Sequence, residues 1–369
     1  MYCRSLGLIL ALSILGIARA WAGNDDCCCN CGGGCGSCSC GAEAAPMEQA
    51  CKVGCGCDSC KVGCDGDGCA APTWTVGIDL LALQPTAKQV MLGETFNVAS
   101  GTPIDQLSST DGDSALEPGM RLRLVFHSCE GDSLEAVYYG LQFWSGGRTL
   151  MPNVAGGALA FSSFLQTDQP GSGIGGFDTS LGFQFASRLN NVEFNYRTPE
   201  PGPGDWSLDL LAGVRYVQWD EALSLTGVDS FAGTEKVDID CHNQLVGPQI
   251  GGQIQHSWDR FQLSLEGKAG LMLNCFQIRR SNLSSSGVTG GNVAIVPIDD
   301  GVHDYDVAGV VDLSVTGSFR LPSHLAARGG YQMLFLGSLA NAAQQFGGGF
   351  DHGGSALLYG PSIGMDVSW

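Results

Sequence analysis

Two kinds of residue in this sequence could do chemistry: thiols crowded near its start and charges placed among alternating apolar residues along the rest. The chain holds 17 cysteines, most of them between Cys27 and Cys69. Cys51-Lys52-Val53-Gly54-Cys55 recurs as Cys60-Lys61-Val62-Gly63-Cys64, and Cys69 opens the next register, a short internal repeat. Cys55-x-Cys57 and Cys57-x-x-Cys60 have the spacing of soft-metal ligands, and the same thiols could instead form disulfides within the segment or to other envelope proteins. Oxidising conditions outside the cytoplasm remove free thiolates, which favours crosslinking, so no metal and no cofactor is assigned. A passive low-complexity spacer is the bland reading of the same composition.

The charges are of a different kind. Asp79, Glu193, Asp209, Glu266, Asp312 and Asp366 supply acids, and Arg121, Arg123, Arg197, Arg215, Lys268 and Arg328 supply bases. Most of them sit between apolar residues in an alternating segment, which calls for ion pairing across a shared interior. Acid–base catalysis would need a histidine or carboxylate set at working spacing. His127 stands alone, and His303-Asp304 or Asp351-His352 are neighbours of a sort that acidic loops produce readily. The chain therefore reads as a non-enzyme.

What must position those charges is a set of strands. From Leu357 to Trp369, apolar Leu357, Tyr359, Pro361, Ile363, Met365, Val367 and Trp369 alternate with Leu358, Gly360, Ser362, Gly364, Asp366 and Ser368. A period of two is the period of a strand, and its length suits a tilted membrane strand of about 9 to 11 residues. Ile363, Met365, Val367 and the terminal Trp369 resemble the C-terminal signal read by the assembly machinery of bacterial outer-membrane barrels. The same rhythm appears at Trp74–Leu80, Met120–Phe126, Val137–Phe143, Val192–Tyr196, Trp206–Tyr216, Asn243–His256, Phe261–Asn274, Val307–Phe319 and Leu325–Phe335. Leu181, Phe183 and Phe185 hint at a further hairpin. Between the segments, short turns at Cys129-Glu130-Gly131-Asp132, Pro199–Gly204, Trp258-Asp259 and Pro322 alternate with long stretches, among them an acidic loop from Asp220 to His242 and a loop from Gln277 to His303. The expectation is an all-β, antiparallel up-and-down transmembrane β-barrel of about 10 to 12 strands with both ends on the short-turn side.

Composition narrows the rest. Of 369 residues, 55 are glycine, and 18 Lys+Arg against 37 Asp+Glu give a formal charge of -19, so nucleic acid has no basic footprint to bind. No apolar run of about 18 residues follows the N-terminus, which excludes a helical membrane protein. Met1 to Ala22 reads as a signal peptide, with Arg4 before an apolar Leu6–Ile17 and a small-x-small site ending at Ala22. Residues 23–72 form a Cys/Gly-rich tail lacking the apolar residues for a core, and 73–369 form the barrel. The location expected is the outer membrane, with its lipid as partner.

Four segments, Asn191-Val192-Glu193-Phe194-Asn195-Tyr196-Arg197, Leu211-Ala212-Gly213-Val214-Arg215-Tyr216 with Asp220-Glu221, Asn243-Gln244-Leu245-Val246-Gly247-Pro248-Gln249, and Gly267-Lys268-Ala269-Gly270-Leu271 with Asn274, resemble a β-barrel porin family found mainly in planctomycetes. The resemblance covers the middle third of the chain and implies an outer-membrane pore without enzymology; the cysteine repeat lies outside it. Two functions follow as expectations: a porin-like passive channel for ions or small solutes, or a structural envelope barrel closed by lumenal ion pairs and crosslinked through its tail. Centring a hairpin on Trp258-Asp259 places Cys241 opposite Cys275 at the external end, so these two are expected to form a disulfide, with a buried free thiol at each as the alternative.

Overall fold

A computed structural model describes residues 73–369 apart from 87–88, 98–101, 112–114, 129–130, 152–156, 162–178, 202, 231–232, 285–298, 323 and 348–349. The signal peptide read over 1–22 and the tail over 23–72 lie outside the described residues. Among the described residues thirteen strands follow in order: β1 (Thr73–Thr86), β2 (Met91–Asn97), β3 (Thr102–Ser108), β4 (Glu117–His127), β5 (Ser133–Leu150), β6 (Gly157–Phe161), β7 (Ser180–Pro201), β8 (Trp206–Asp229), β9 (Gly233–Trp258), β10 (Phe261–Ser284), β11 (Asp299–Arg320), β12 (Leu325–Leu339) and β13 (Gly354–Ser368). Ten of them close an antiparallel barrel, β1-β13-β12-β11-β10-β9-β8-β7-β5-β4, in which β4 returns to β1. The other three form a small sheet, β3-β2-β6, built from the long β1–β4 and β5–β7 connections. Closure leaves the first and last barrel strands fully paired, with reciprocal backbone bonds between Trp74 and Trp369 at 2.9 and 3.0 Å.

Membrane-length alternation explains the lower part of the wall. On β8, Trp206, Leu208 and Leu210 are exposed outward, and from Trp206 to Tyr216 a tilted strand climbs about 25 Å, the height of a bilayer's apolar band. The short-turn rim is aromatic: Trp74 lies 4.9 Å from Phe126 between ring centroids, and His256 lies 4.4 Å from Trp206 and 4.1 Å from Trp258. Such rings suit the boundary between lipid and water.

Strands β7 to β11 run 22 to 26 residues, about twice what a membrane requires. Their upper halves stand beyond the band on the long-connection side, and there, on β7 to β10, the pattern inverts. On β8 the apolar set moves from the outward Trp206–Tyr216 series to the inward Val217, Trp219, Leu223 and Leu225, all buried, while Gln218, Asp220 and Ser224 face out. The stretch from Asp220 to His242, expected as an acidic loop, is thus mostly the β8–β9 hairpin. Likewise Gln277–Ser284 and Asp299–His303 belong to β10 and β11, and Leu181, Phe183 and Phe185 begin β7.

Two further expectations are corrected. Val137, Tyr139, Leu141 and Phe143 do not share a face: a bulge between Gly140 and Gln142, with Leu141 at φ 66°, turns Val137 and Tyr139 inward and leaves Leu141 and Phe143 outside. The Cys241–Cys275 disulfide is absent, since Cys241 is a buried free thiol. The hairpin pairs Trp258 with Phe261, so Cys241 faces Ile278, and Cys275 lies opposite Gln244. An offset of three residues puts the two sulfurs on opposite faces of the sheet.

Candidate functional site: a charge lattice across the barrel

The lower lumen is occupied by side chains from every barrel strand. Their positions follow from the pleat: lipid claims one parity, and the other parity holds the charges. On the β1 side, Asp79 receives Arg121 Nε and Arg328 Nη2, both at 2.6 Å, and Asp366 on β13 receives Arg123 from β4 at 2.9 Å and lies 3.4 Å from Arg328 as an ion pair. Glycines give this cluster its room, because a Cβ at Gly77 would come within 2.5 Å of Asp366 Oδ1 and one at Gly364 would collide with Asp79.

The opposite side is denser. Glu193 on β7 is fully buried and accepts from Arg215 on β8 at 2.5 Å and Lys268 on β10 at 3.0 Å. Arg215 also reaches Asp312 on β11 at 2.7 Å. Lys268 bonds Glu266 at 2.9 Å; Glu266 also receives Arg197, which bonds Glu135 on β5 at 2.6 Å. Gln249 and Gln253 of β9 donate to Glu193 and accept from Arg197 respectively. Gln332 on β12 joins the two sides, accepting from Arg121 at 3.0 Å and donating to Asp312 at 3.1 Å.

Six carboxylates (Asp79, Glu135, Glu193, Glu266, Asp312, Asp366) therefore meet six cations (Arg121, Arg123, Arg197, Arg215, Lys268, Arg328) with no net charge. Arginine suits this role because its planar fork can hold two carboxylates at once, as Arg215 and Arg197 do here. Of the twelve residues read as lumen-lining, eleven are brought together. Asp209 stands apart near the short-turn rim, accepting from Gln255 at 2.8 Å and making no ion pair among the described residues. Glu135 was missed because it shares parity with Val137, and the bulge at Leu141 hides which way that parity points. The alternating Ser133, Glu135 and Val137 immediately after the turn was the available signal.

Above the lattice the interior is apolar, with Leu81, Tyr139, Trp144, Val217, Trp219 and Leu334 among a buried cluster. Trp144 and Trp219 lie 5.8 Å apart, and Trp144 Nε1 donates to the Leu83 carbonyl at 2.9 Å. Higher still, Leu92 and Leu107 of the β2–β3 hairpin and Ala340, Ala342 and Ala343 pack against Phe183, Leu225 and Ile239 of the wall. Arg148 at the top of β5 ties that hairpin down, bonding Asp105 at 2.8 Å and Asp111 at 3.0 Å.

Among the described residues the histidines do not converge on a catalytic arrangement. His352 Nδ1 faces Asp306 at 2.9 Å, half exposed, and His303 meets the ring of Tyr305 edge-on. The terminal set Ile363, Met365 and Val367 points outward from β13, opposite Leu80, Ile78 and Val76 of β1.

No family model matches the chain, and no curated protein matches it. Among solved structures, the outer membrane protease OmpT from Escherichia coli is similar at 10% identity, over 80% of this chain and 97% of that chain, with a TM-score of 0.38. A mutant of the TodX monoaromatic hydrocarbon channel and a FadL homologue from Pseudomonas aeruginosa are each 11% identical over 81% of this chain and 89% of theirs, with TM-scores of 0.22. Scores this low carry no argument about this chain, whose barrel is read from its own strand pairings.

Proposed function

We propose that this chain is an outer-membrane β-barrel whose lumen is closed at rest, a structural envelope barrel rather than a freely open pore. The observation that carries the reading is the neutral charge lattice to which all ten barrel strands contribute, roofed by a buried apolar layer. A barrel of about eight strands is filled by its own side chains, whereas one of 16 to 18 leaves an aqueous channel, and ten lies near the filled end. The outward apolar band, its aromatic rim and the alternation of short and long connections support the membrane assignment. In this reading lipid surrounds the band, the outward Ile363, Met365, Val367 and Trp369 present the assembly signal, and the cysteine-rich tail crosslinks to neighbouring envelope proteins.

A porin-like passive channel is the second reading, favoured by the form of the upper closure. The β2–β3 hairpin and the segment around Ala342 are separate pieces laid into the mouth rather than parts of the wall. Single-channel recording of the refolded full chain separates the two. The closed barrel should show no steady conductance, and Glu266→Ala with Asp312→Ala should raise ion leak and lower stability together. Large, steady conductance from the unmodified barrel would replace the closed reading with the porin.

A further inference from the structure

The residues from Ser338 to Ala342, the last two of β12 and the start of its connection to β13, are held inside the upper barrel in the manner of a bound peptide. Asn243 on β9 grips the backbone of Ala340 at both groups, donating from Nδ2 to its carbonyl at 3.0 Å and accepting its N–H on Oδ1 at 2.8 Å. Asn274 on β10 donates to the Ser338 carbonyl at 2.9 Å. Glu221 on β8 accepts the Ala342 N–H at 2.7 Å and Trp219 Nε1 at 3.0 Å. Side chains from three wall strands thus fix successive backbone groups of one short segment, with alanines filling the space beneath.

One of the three clamps is a carboxyl group, and its surroundings supply no counter-charge. Glu221 is buried and makes no ion pair among the described residues. Facing it across the sheet are Ser187 from β7 and Cys241 from β9, and the held segment meets it with the Ala342 N–H. Cys241 is the one titratable group in that set, and its thiol, pushed well up by burial and by Glu221 itself, stays protonated through the physiological range. Glu221 lies above the apolar band, flanked on the outer face by the polar Asp220 and by Ala222.

We infer that the segment from Ser338 to Gln345 is a seated plug whose hold on the barrel depends on proton uptake by Glu221. Neutral, the carboxyl satisfies two N–H donors without burying a charge. Ionised, it is a buried anion with only those two donors, and it gains water if the segment lifts away. Burial raises its pKa from 4.5 to about 7, partly offset by the hydrogen bonds from Ala342 and Trp219. A carboxyl raised in the seated state contributes docking that is fully present below pH 4.5 and is lost as pH rises through about 7. The inference deepens the closed-barrel reading by giving its upper closure a release signal.

Hydrogen exchange on the refolded full chain tests it without relying on conductance. The quantity read is the protection factor, corrected for intrinsic exchange, of the Ala340 and Ala342 amides. Protection should fall by about 30-fold between pH 5.5 and pH 8.5, while amides at the centre of β13 stay constant. Glu221→Gln should keep the segment protected throughout, and Asp220→Asn, on the opposite face, should follow the unmodified chain. Protection independent of pH in the unmodified chain, or the same decline in Glu221→Gln, overturns the proposal. Should Glu221→Gln fail to refold, Asp220→Asn decides: a decline kept there leaves the buried carboxyl as its source, and a decline abolished there overturns the proposal. A barrel that conducts steadily yet shows the pH-dependent release would sink the closed reading and leave this one standing.

Discussion

Below Tyr216 the wall of this barrel is apolar outside and charged inside; above Val217, strands β7 to β10 are apolar inside and polar outside. β8 passes between the two regimes without a register shift on either side, so the pleat continues and only the chemistry of each face changes. The solvent makes the difference. In lipid the outward residue must be apolar and charges retreat to the lumen, where they survive only as pairs. In water the outward residue is free to be Asp220 or Ser224, and the hydrophobic effect fills the inside with Leu223, Leu225 and Ile239. A strand thus records which solvent each face meets, position by position.

The sharpest break of that comparison is to unpair the lower interior. Arg215 is buried against both Glu193 and Asp312, and Arg215→Ala leaves two carboxylates facing each other with one cation removed. Losing one partner of a buried pair costs about 3 to 5 kcal/mol. The urea concentration at which the folded barrel loses its heat-modifiable gel mobility should fall accordingly. Arg215→Met paired with Glu193→Gln should be milder, since less charge is then left uncompensated.

A second test moves one cation along the outer face. Ile250, among the most exposed apolar residues of the band at 70%, should accept arginine only at a cost of about 2 to 4 kcal/mol. Ser224, also outward but paired between Gln184 and Asp238 above the band, should accept it within about 0.5 kcal/mol. Equal costs at the two sites, measured by the same urea titration, would mean that the band does not end near Tyr216.

What could be read in the sequence follows the same division. The lower barrel was legible because lipid enforces one parity over a whole strand: Trp74–Leu80, Met120–Phe126 and Ile363–Trp369 show it without interruption, and the inward charges fall out as the remainder. The upper halves were not, because the apolar parity reverses at Val217 and at Leu245, and a reversed pattern next to acids looks like a loop. Two local events defeated geometry as well. The bulge at Leu141 hid Glu135, and counting from Trp258-Asp259 rather than from the real turn shifted the hairpin register by three, which is what produced the expected Cys241–Cys275 bond. The β2–β3 hairpin and the seated segment at Ala340 depend on contacts distant in sequence, for which no period exists.

The smallest effect lies one residue from the proposed release signal. Asp220 and Glu221 are neighbours on β8 facing opposite ways, so they compare the wet and dry faces directly. On the outside, His242 Nδ1 lies 3.1 Å from Asp220 and Arg188 lies 2.7 Å from it. The hydrogen bond to Asp220 raises the His242 pKa above its ordinary 6.5, partly offset by burial. Burial would raise Asp220, but the bonds from His242 and Arg188 outweigh it and the carboxyl ends below its ordinary 3.8. A raised histidine contributes stability that is fully present below pH 6.5 and is lost as pH rises through its folded pKa. The lowered aspartate contributes above its ordinary value and loses that only in strong acid. With His242 half exposed, screening holds the pair to about 0.5 kcal/mol or less. Asp220→Asn should therefore flatten the slope of stability against pH between 6 and 8 only slightly, whereas Glu221→Gln should remove most of it. Both groups lose stability in the same direction, so the unmodified slope cannot assign it; the two variants can. A larger change from Asp220→Asn than from Glu221→Gln would show that the wet face, not the buried clamp, carries the pH dependence.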